Sequence, residues 1–347
     1  VRKFLVPGLG RSVGVAIAAL AIGTQIVVLA AGSLAVVFRD DVRDWLTVGK
    51  SVPTATIDGY VSDAGMSAAG RFYLYVAHPT LHTAETFDES CPIREKGIAV
   101  LGCYDPNTDT IHLLDITDDT VTTLEPVVAA HEMLHAVWAR FDDGERDAVG
   151  ALVNAAFDAL PEGSLTERLT PYRSASPQAR VNELFAILGT EVSELPNELE
   201  AIYERYFDRR NSVVELADRA TAVFASITSE IADTVAAIQS SEAVLAKRLA
   251  KYTKLRTKLD EDVAAFNAQA DTPGAFPSSS EFSAARAALT ERSRILTKMR
   301  DKYNELVSVH NDLIARLSLL NAQALALNEA LGIDAAEYAP VEVSPAA

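Results

Sequence analysis

Residues 123–141 read TLEPVVAAHEMLHAVWARF, and the fold and the chemistry both turn on how this stretch is taken. The spacing predicts a helix over 124–141. Thr123 can cap it, and Pro126 is tolerated in the first turn, where amide donors have no intrahelical acceptor. Val127, Leu134, Val137 and Trp138 give the helix an apolar packing surface. His131 and His135 then fall one turn apart on one face. The pattern is H-E-x-x-H, in a chain with six histidines. Two imidazoles so spaced can both reach one Zn²⁺ at about 2.0–2.1 Å. Glu132 is left beside the water that the ion would acidify, and a carboxylate there can take its proton.

Zinc used for hydrolysis needs a third protein ligand and an open fourth position. Residue 141 is Phe, so the longer H-E-x-x-H-x-x-G-x-x-H pattern fails. Downstream, Asn182-Glu183-Leu184-Phe185-Ala186 lies in a helical pattern over 177–192, which Ser176 can cap and Pro177 can open. In these two motifs, and over roughly residues 71–210, the chain resembles the gluzincin zinc metallopeptidases. In that family a Glu on a later helix completes the H-E-x-x-H site. The resemblance implies a zincin-like α+β domain, a Zn²⁺ cofactor held by His131, His135 and Glu183, Glu132 as general base, and a peptide or protein substrate. Glu191, two turns along the same helix, is the alternative third ligand, and 47 residues separate His135 from Glu183. An oxyanion stabiliser is also implied; Tyr172, Tyr203 and Tyr206 are its candidates, and the sequence does not choose among them. The family further implies that the strand before the H-E-x-x-H helix can align an extended peptide by strand addition.

Working outward, three short runs read as strands: RFYLYVA (71–77), GIAVLGCY (97–104) and TIHLLDI (110–116). Asp105-Pro106-Asn107-Thr108-Asp109 has turn composition and predicts a hairpin between the last two. A helix over 145–160 follows, and residues 39–70 read as a linker with Pro53, Gly59, Gly65 and Gly70. From Pro196 onward the chain is almost continuously helical. Phe224, Ile231, Ile238, Leu245, Tyr252, Leu259 and Phe266 repeat every seven residues. Met299, Leu306, Leu313, Leu320 and Leu327 do the same, with Phe282, Leu289, Leu296 and Tyr303 on the adjoining seam. DTPGAFPSSS (271–280) breaks helicity between them. Residues 211–333 are therefore expected to form an antiparallel helical hairpin, a coiled coil, with a disordered tail over 334–347.

Residues 13–38 contain no charge for 26 positions, long enough to span a bilayer with tilt. Leu29-Ala30-Ala31 is an alternative cleavage site. Arg2, Lys3 and Arg11 precede the run, so residues 1–12 are expected in the cytoplasm, with one N-terminal transmembrane helix and the main domains outside the cell membrane. In an oxidising compartment Cys91 and Cys103 form a natural disulfide.

The 347 residues carry a formal net charge of −17 with 49% hydrophobic content. Such a balance excludes a nucleic-acid binder that coats phosphates with a basic face. One local exception stands out. Lys247, Arg248, Lys251, Lys254, Arg256 and Lys258 would face Arg292, Arg294, Lys298, Arg300 and Lys302 across the hairpin. This basic collar is a candidate contact for an anionic polymer, anionic lipid headgroups or an acidic protein; the alternative is an ordinary solvated coiled-coil flank. Together these features lead to the expectation of a membrane-anchored, extracytoplasmic zinc metallopeptidase. The competing expectation is a membrane-tethered interaction protein whose hairpin binds an envelope partner.

Overall fold

Helix α4 (Leu124–Arg140) is the element around which its neighbours are arranged, and its sequence explains why. It is apolar on most of its circumference, with Val127, Ala129, Ala130, Met133, Leu134, Ala136, Val137 and Trp138 all buried. The computed structural model describes residues 44, 54–92, 100–163, 165–166, 169, 176–332 and 340–341. In chain order these form α1 (Ala55–Asp63), α2 (Ala68–Val76), β1 (Thr80–His82), α3 (Ala84–Ser90), β2 (Gly102–Asp105), β3 (Thr110–Leu114), α4, α5 (Asp143–Asp158), α6 (Pro177–Glu191), α7 (Asn197–Tyr203), α8 (Asn211–Ala270) and α9 (Ser279–Ala330). They fall into two units: one holds α1 to α7 with the first turns of α8, the other the rest of α8 with α9.

The first unit is an α+β domain. α4 packs against α1, α2, α6 and one face of a three-stranded mixed sheet of order β1-β3-β2. β1 runs parallel to β3, with Thr80 opposite His112, and β2 runs antiparallel to β3, with Cys103 opposite His112. The hairpin turn is held by Asp105, whose carboxylate accepts from the Asn107 amide at 2.9 Å and the Thr108 hydroxyl at 2.9 Å. Side-chain caps open several helices, but the expected Thr123 cap at α4 does not form, since its hydroxyl is buried without a hydrogen-bond partner, and Thr83 makes no cap bond at α3. Asp142 and Glu145 make a reciprocal capping box at α5, and Ser176 accepts from the Ala179 amide ahead of Pro177 at α6. Cys91 and Cys103 stand at disulfide distance, Cα to Cα 6.1 Å, joining the end of α3 to β2.

Three local expectations are corrected here. Residues 71–76 form not a strand but most of α2, with Ala77 at its C-terminal cap: Ser67 caps the start of the helix through the Ala69 and Gly70 amides, and Leu74, Tyr75 and Val76 are buried. Aromatic and β-branched content favours strand only weakly, and packing decides. Residues 54–70 are not linker, since Ile57, Tyr60, Val61 and Met66 are part of the core. Strand β3 is flanked on both sides, so it has no free edge for a peptide; β2 is the outer strand next to α4.

The membrane reading is corrected as well. The apolar run 13–38 lies outside the described residues. Among the described residues, the helix long and apolar enough to cross a membrane is α8, Asn211–Ala270, and it follows the α+β domain rather than preceding it. Charges flanking residues 13–38 therefore do not fix the side on which the domain lies. The span-then-domain order, the membrane partnership through the N-terminus and the extracytoplasmic placement built on them are not carried further.

In the second unit, Phe266, Phe276 and Phe282 cluster where α8 and α9 join, their ring centroids 5.2–5.5 Å apart. Gly274 turns the chain at φ +76°, a left-handed conformation suited to glycine. Glu230 meets Arg316, Ser241 meets His310 and Asp262 meets Arg292, so one helix ascends as the other descends. Ile238, Leu245, Leu259, Leu296, Leu317, Leu320 and Leu327 are the buried seam. Six of the eleven collar cations lie beside carboxylates. Arg256 pairs with Asp260, Lys258 and Arg292 with Asp262, Arg294 with Glu291, Arg300 with Asp301, and Lys302 with Glu305. The partner expectation is corrected because the candidate membrane-crossing helix among the described residues is α8, which itself carries half of this collar, and not an N-terminal segment; the anionic polymer, lipid or acidic protein expected at the collar is not proposed again.

Gly189 lets α6 approach α4. A Cβ at that position would lie 2.6 Å from Leu134 Cδ1 and 2.7 Å from Tyr203 Cε1. Gly189→Ala should therefore destabilise the domain by about 1–3 kcal/mol through overpacking, read as a lowered urea midpoint with an unchanged m-value.

Candidate metal centre

The close approach of α4 and α6 brings three donors from two distant stretches of sequence to one place. His131 Nε2 and His135 Nε2 are 3.1 Å apart. Glu183 Oε1 lies 3.5 Å from His131 Nε2, and Glu183 Oε2 lies 3.4 Å from His135 Nε2. Tetrahedral ligands about 2.0–2.1 Å from a common ion stand about 3.3–3.4 Å from one another. The three side chains match that spacing, are partly buried, and form the metal-capable His/Glu cluster among the described residues. The donor set of two neutral nitrogens and one carboxylate oxygen suits Zn²⁺.

The orientation of the donors is itself held. His135 Nδ1 donates to the side-chain oxygen of Asn182 at 3.0 Å, which directs the Nε2 lone pair toward the shared point. Burial opposes a charge on His135, yet hydrogen bonding to Glu183 and the charges of Glu132 and Glu183 outweigh it and push its pKa up to about 9. Burial would also raise Glu183, but its bonds to His131 and His135 and their charges hold it well below the usual carboxylate range.

Glu132 lies against β2 and is 5% exposed. Burial pushes its pKa up, His135 and His131 pull it back, and the Tyr104 amide also favours the carboxylate form. Gly102 makes this contact sterically feasible, for a Cβ there would meet Val128 Cγ1 at 2.5 Å and Glu132 Cγ at 3.0 Å. The β2–β3 turn is tied to the far end of α4. Tyr104 donates to Asp109 at 2.8 Å, and Arg140 of α4 reaches the same carboxylate at 2.8 Å and Asp44 at 2.6 Å.

Of the residues expected at the site, His131, His135 and Glu183 come together and Glu132 lies alongside. Glu191 is the last residue of α6, two turns beyond Glu183, and is not a member of the cluster. Tyr203 is fully buried and donates to the Phe185 carbonyl at 2.7 Å, so its hydroxyl is committed to joining α7 to α6. Tyr206 is buried with its ring edge-on to Tyr73 at 5.9 Å. Tyr172 lies outside the described residues. Asn182, Gly102 and the Tyr104 amide carried no assigned role in the sequence. Only Asn182 offered a signal, as the neighbour of Glu183. No protein-family model matches the chain, and no curated protein or solved structure matches it either, so the gluzincin resemblance rests on the two motifs alone.

Because Asn182 fixes the His135 ring, Asn182→Ala should lower Zn²⁺ affinity about 10–100-fold while leaving the fold intact. A chelator-competition titration alongside circular dichroism measures both.

Proposed function

We propose that the protein is a zinc-dependent hydrolase of peptide bonds. The observation that carries this reading is the convergence of His131 Nε2, His135 Nε2 and the Glu183 carboxylate on one point, with a buried carboxyl group one residue from the first ligand. Zn²⁺, when bound, would supply Lewis-acid polarisation of the scissile carbonyl and acidification of a water molecule.

The remaining work falls to the chain. Glu132 would take the proton of the attacking water and pass it to the leaving amine, a double role that suits a carboxyl whose pKa is raised by burial. His135, held by Asn182, keeps its ring fixed while charge develops beside it. The outer edge of β2 is the proposed track for an extended substrate, since its Gly102 and Tyr104 positions adjoin Glu132. This assignment replaces β3, whose two edges are both paired.

The test separates metal binding from turnover. The purified full-length chain should hold about one zinc per molecule, and His131→Ala and Glu183→Ala should lose it. Glu132→Gln should keep the metal but lose about 10²–10⁴-fold in kcat on a casein-derived peptide library. A metal-free wild type, or a Glu132→Gln variant that cleaves as well as wild type, would overturn the reading. Glu191→Gln should leave zinc content unchanged, and loss of zinc there would reassign the third ligand.

A further inference from the structure

The face of the sheet turned away from α4 carries a second group of convergent donors. Ile111 and Leu113 point into the core that α4 shares, so the alternating residue His112 points to the opposite face, beneath α3. The parallel register sets Thr80 opposite His112, and His82 follows two residues later on the same face. His82 Nε2 lies 3.0 Å from His112 Nδ1, Thr80 Oγ1 lies 3.0 Å from His82 Nε2, and Thr80 Oγ1 lies 3.3 Å from His112 Nδ1.

Hydrogen-bond accounting indicates which atoms present lone pairs. The Thr80 hydroxyl donates to the Ile111 carbonyl at 3.2 Å, which uses its only proton. The Ser90 hydroxyl donates to the Thr86 carbonyl at 3.2 Å, so its oxygen accepts from His82 Nδ1 at 3.4 Å. A His82 ring protonated at Nδ1 has its lone pair on Nε2, facing His112 and Thr80. His112 has two neutral tautomers: with its proton on Nδ1 it donates to His82 Nε2, and with its proton on Nε2 three acceptor atoms meet, a state in which a cation takes the place of that hydrogen. Donors about 2.0–2.1 Å from one ion stand about 2.9–3.4 Å apart for angles between octahedral and tetrahedral, and all three separations fall in that interval.

We propose that His82, His112 and Thr80 form a second divalent-metal site, of the Cu²⁺, Ni²⁺ or Zn²⁺ class, that clips strand β1 to strand β3. Two imidazoles with a neutral hydroxyl favour these borderline ions over Mg²⁺ or Ca²⁺, which call for several hard oxygens. The role is structural. β1 has only three residues, and an ion held by His82 and His112 crosses from it to the central strand. α3 closes over the pair, with Phe87 edge-on to His82 at 6.4 Å and Cys91 beside Cys103, the residue opposite His112. The site does not depend on the hydrolase reading.

Full-length chain titrated with Cu²⁺ in a glycine-containing buffer tests the proposal, with binding followed by calorimetry and electron paramagnetic resonance. Wild type should take up about two equivalents, His131→Gln/His135→Gln about one, and His82→Gln/His112→Gln about one. The equivalent that survives in the His131→Gln/His135→Gln chain should display two-nitrogen hyperfine structure, and should raise its Tm by mass action. Should the double substitution at the strands disturb folding, as seen by circular dichroism, His82→Gln alone, at the end of β1, should weaken that equivalent about tenfold or more. Thr80→Val should weaken it less than either histidine change. A His82→Gln/His112→Gln chain that folds and still binds as many Cu²⁺ ions as wild type overturns the proposal. Failure of the first site alone would appear differently, as one equivalent in wild type that His82→Gln/His112→Gln abolishes.

Discussion

A carboxylate from one helix and two imidazoles from another share a point only if the helix axes come unusually near. That approach is the constraint on which the domain depends. Gly189 on α6 removes the one side chain that would strike Leu134 and Tyr203, and Leu134 lies between the two histidines in sequence. Around this contact the aromatic rings of Trp138, Phe141, Phe185 and Tyr203 fill the space, with centroids 5.1–5.8 Å apart. Apolar packing thus supplies the rigidity, and the polar cluster sits at its margin. The cluster could not supply it alone, because gathering a carboxylate and two rings out of water costs free energy that only good pairing offsets.

The same packing explains how a buried Glu132 is tolerated. An ionised carboxyl away from water needs compensating partners, and here the imidazoles and the Tyr104 amide provide them. The compensation is incomplete, so its pKa stays raised. Glu183, by contrast, is bonded to both histidines and is held in its charged form. Two glutamates in one site are driven apart in acidity by their surroundings.

How much of this was legible in the sequence depends on the range of the interaction involved. The i, i+4 spacing of His131 and His135, the Ser176–Pro177 opening of α6 and the seven-residue repeats of the hairpin are local, and local periodicity reveals them. The Asp105–Asp109 turn is equally local. Residues 71–77 went the other way: their aromatic content suggested a strand, but the Ser67 cap and burial against α4 made a helix of 71–76. The strand order was not legible either, because nothing within 110–116 says that its two edges are taken. Charge patterning along the hairpin was visible as composition, while the pairing of Asp262 with both Lys258 and Arg292 emerges only when the two helices are set side by side.

β3 gathers these threads into five residues. On one face Ile111 and Leu113 enter the core that supports α4; on the other His112 faces Thr80 and His82. Its antiparallel neighbour β2 carries Gly102 and Tyr104 against Glu132 and Cys103 against Cys91, again one set on each face. The period-two geometry of a strand therefore lets one short sheet support the helix that carries the His131/His135/Glu183 cluster on one side and set His112 beside Thr80 and His82 on the other. A slip of one residue in the β2–β3 register would exchange the two faces, removing Gly102 from Glu132 and placing Cys103 there instead. The Asp105 turn, the Asp109–Arg140 link and the Cys91–Cys103 pairing each oppose that slip from a different direction. Register, more than any single contact, is what keeps the chemistry of the two faces apart.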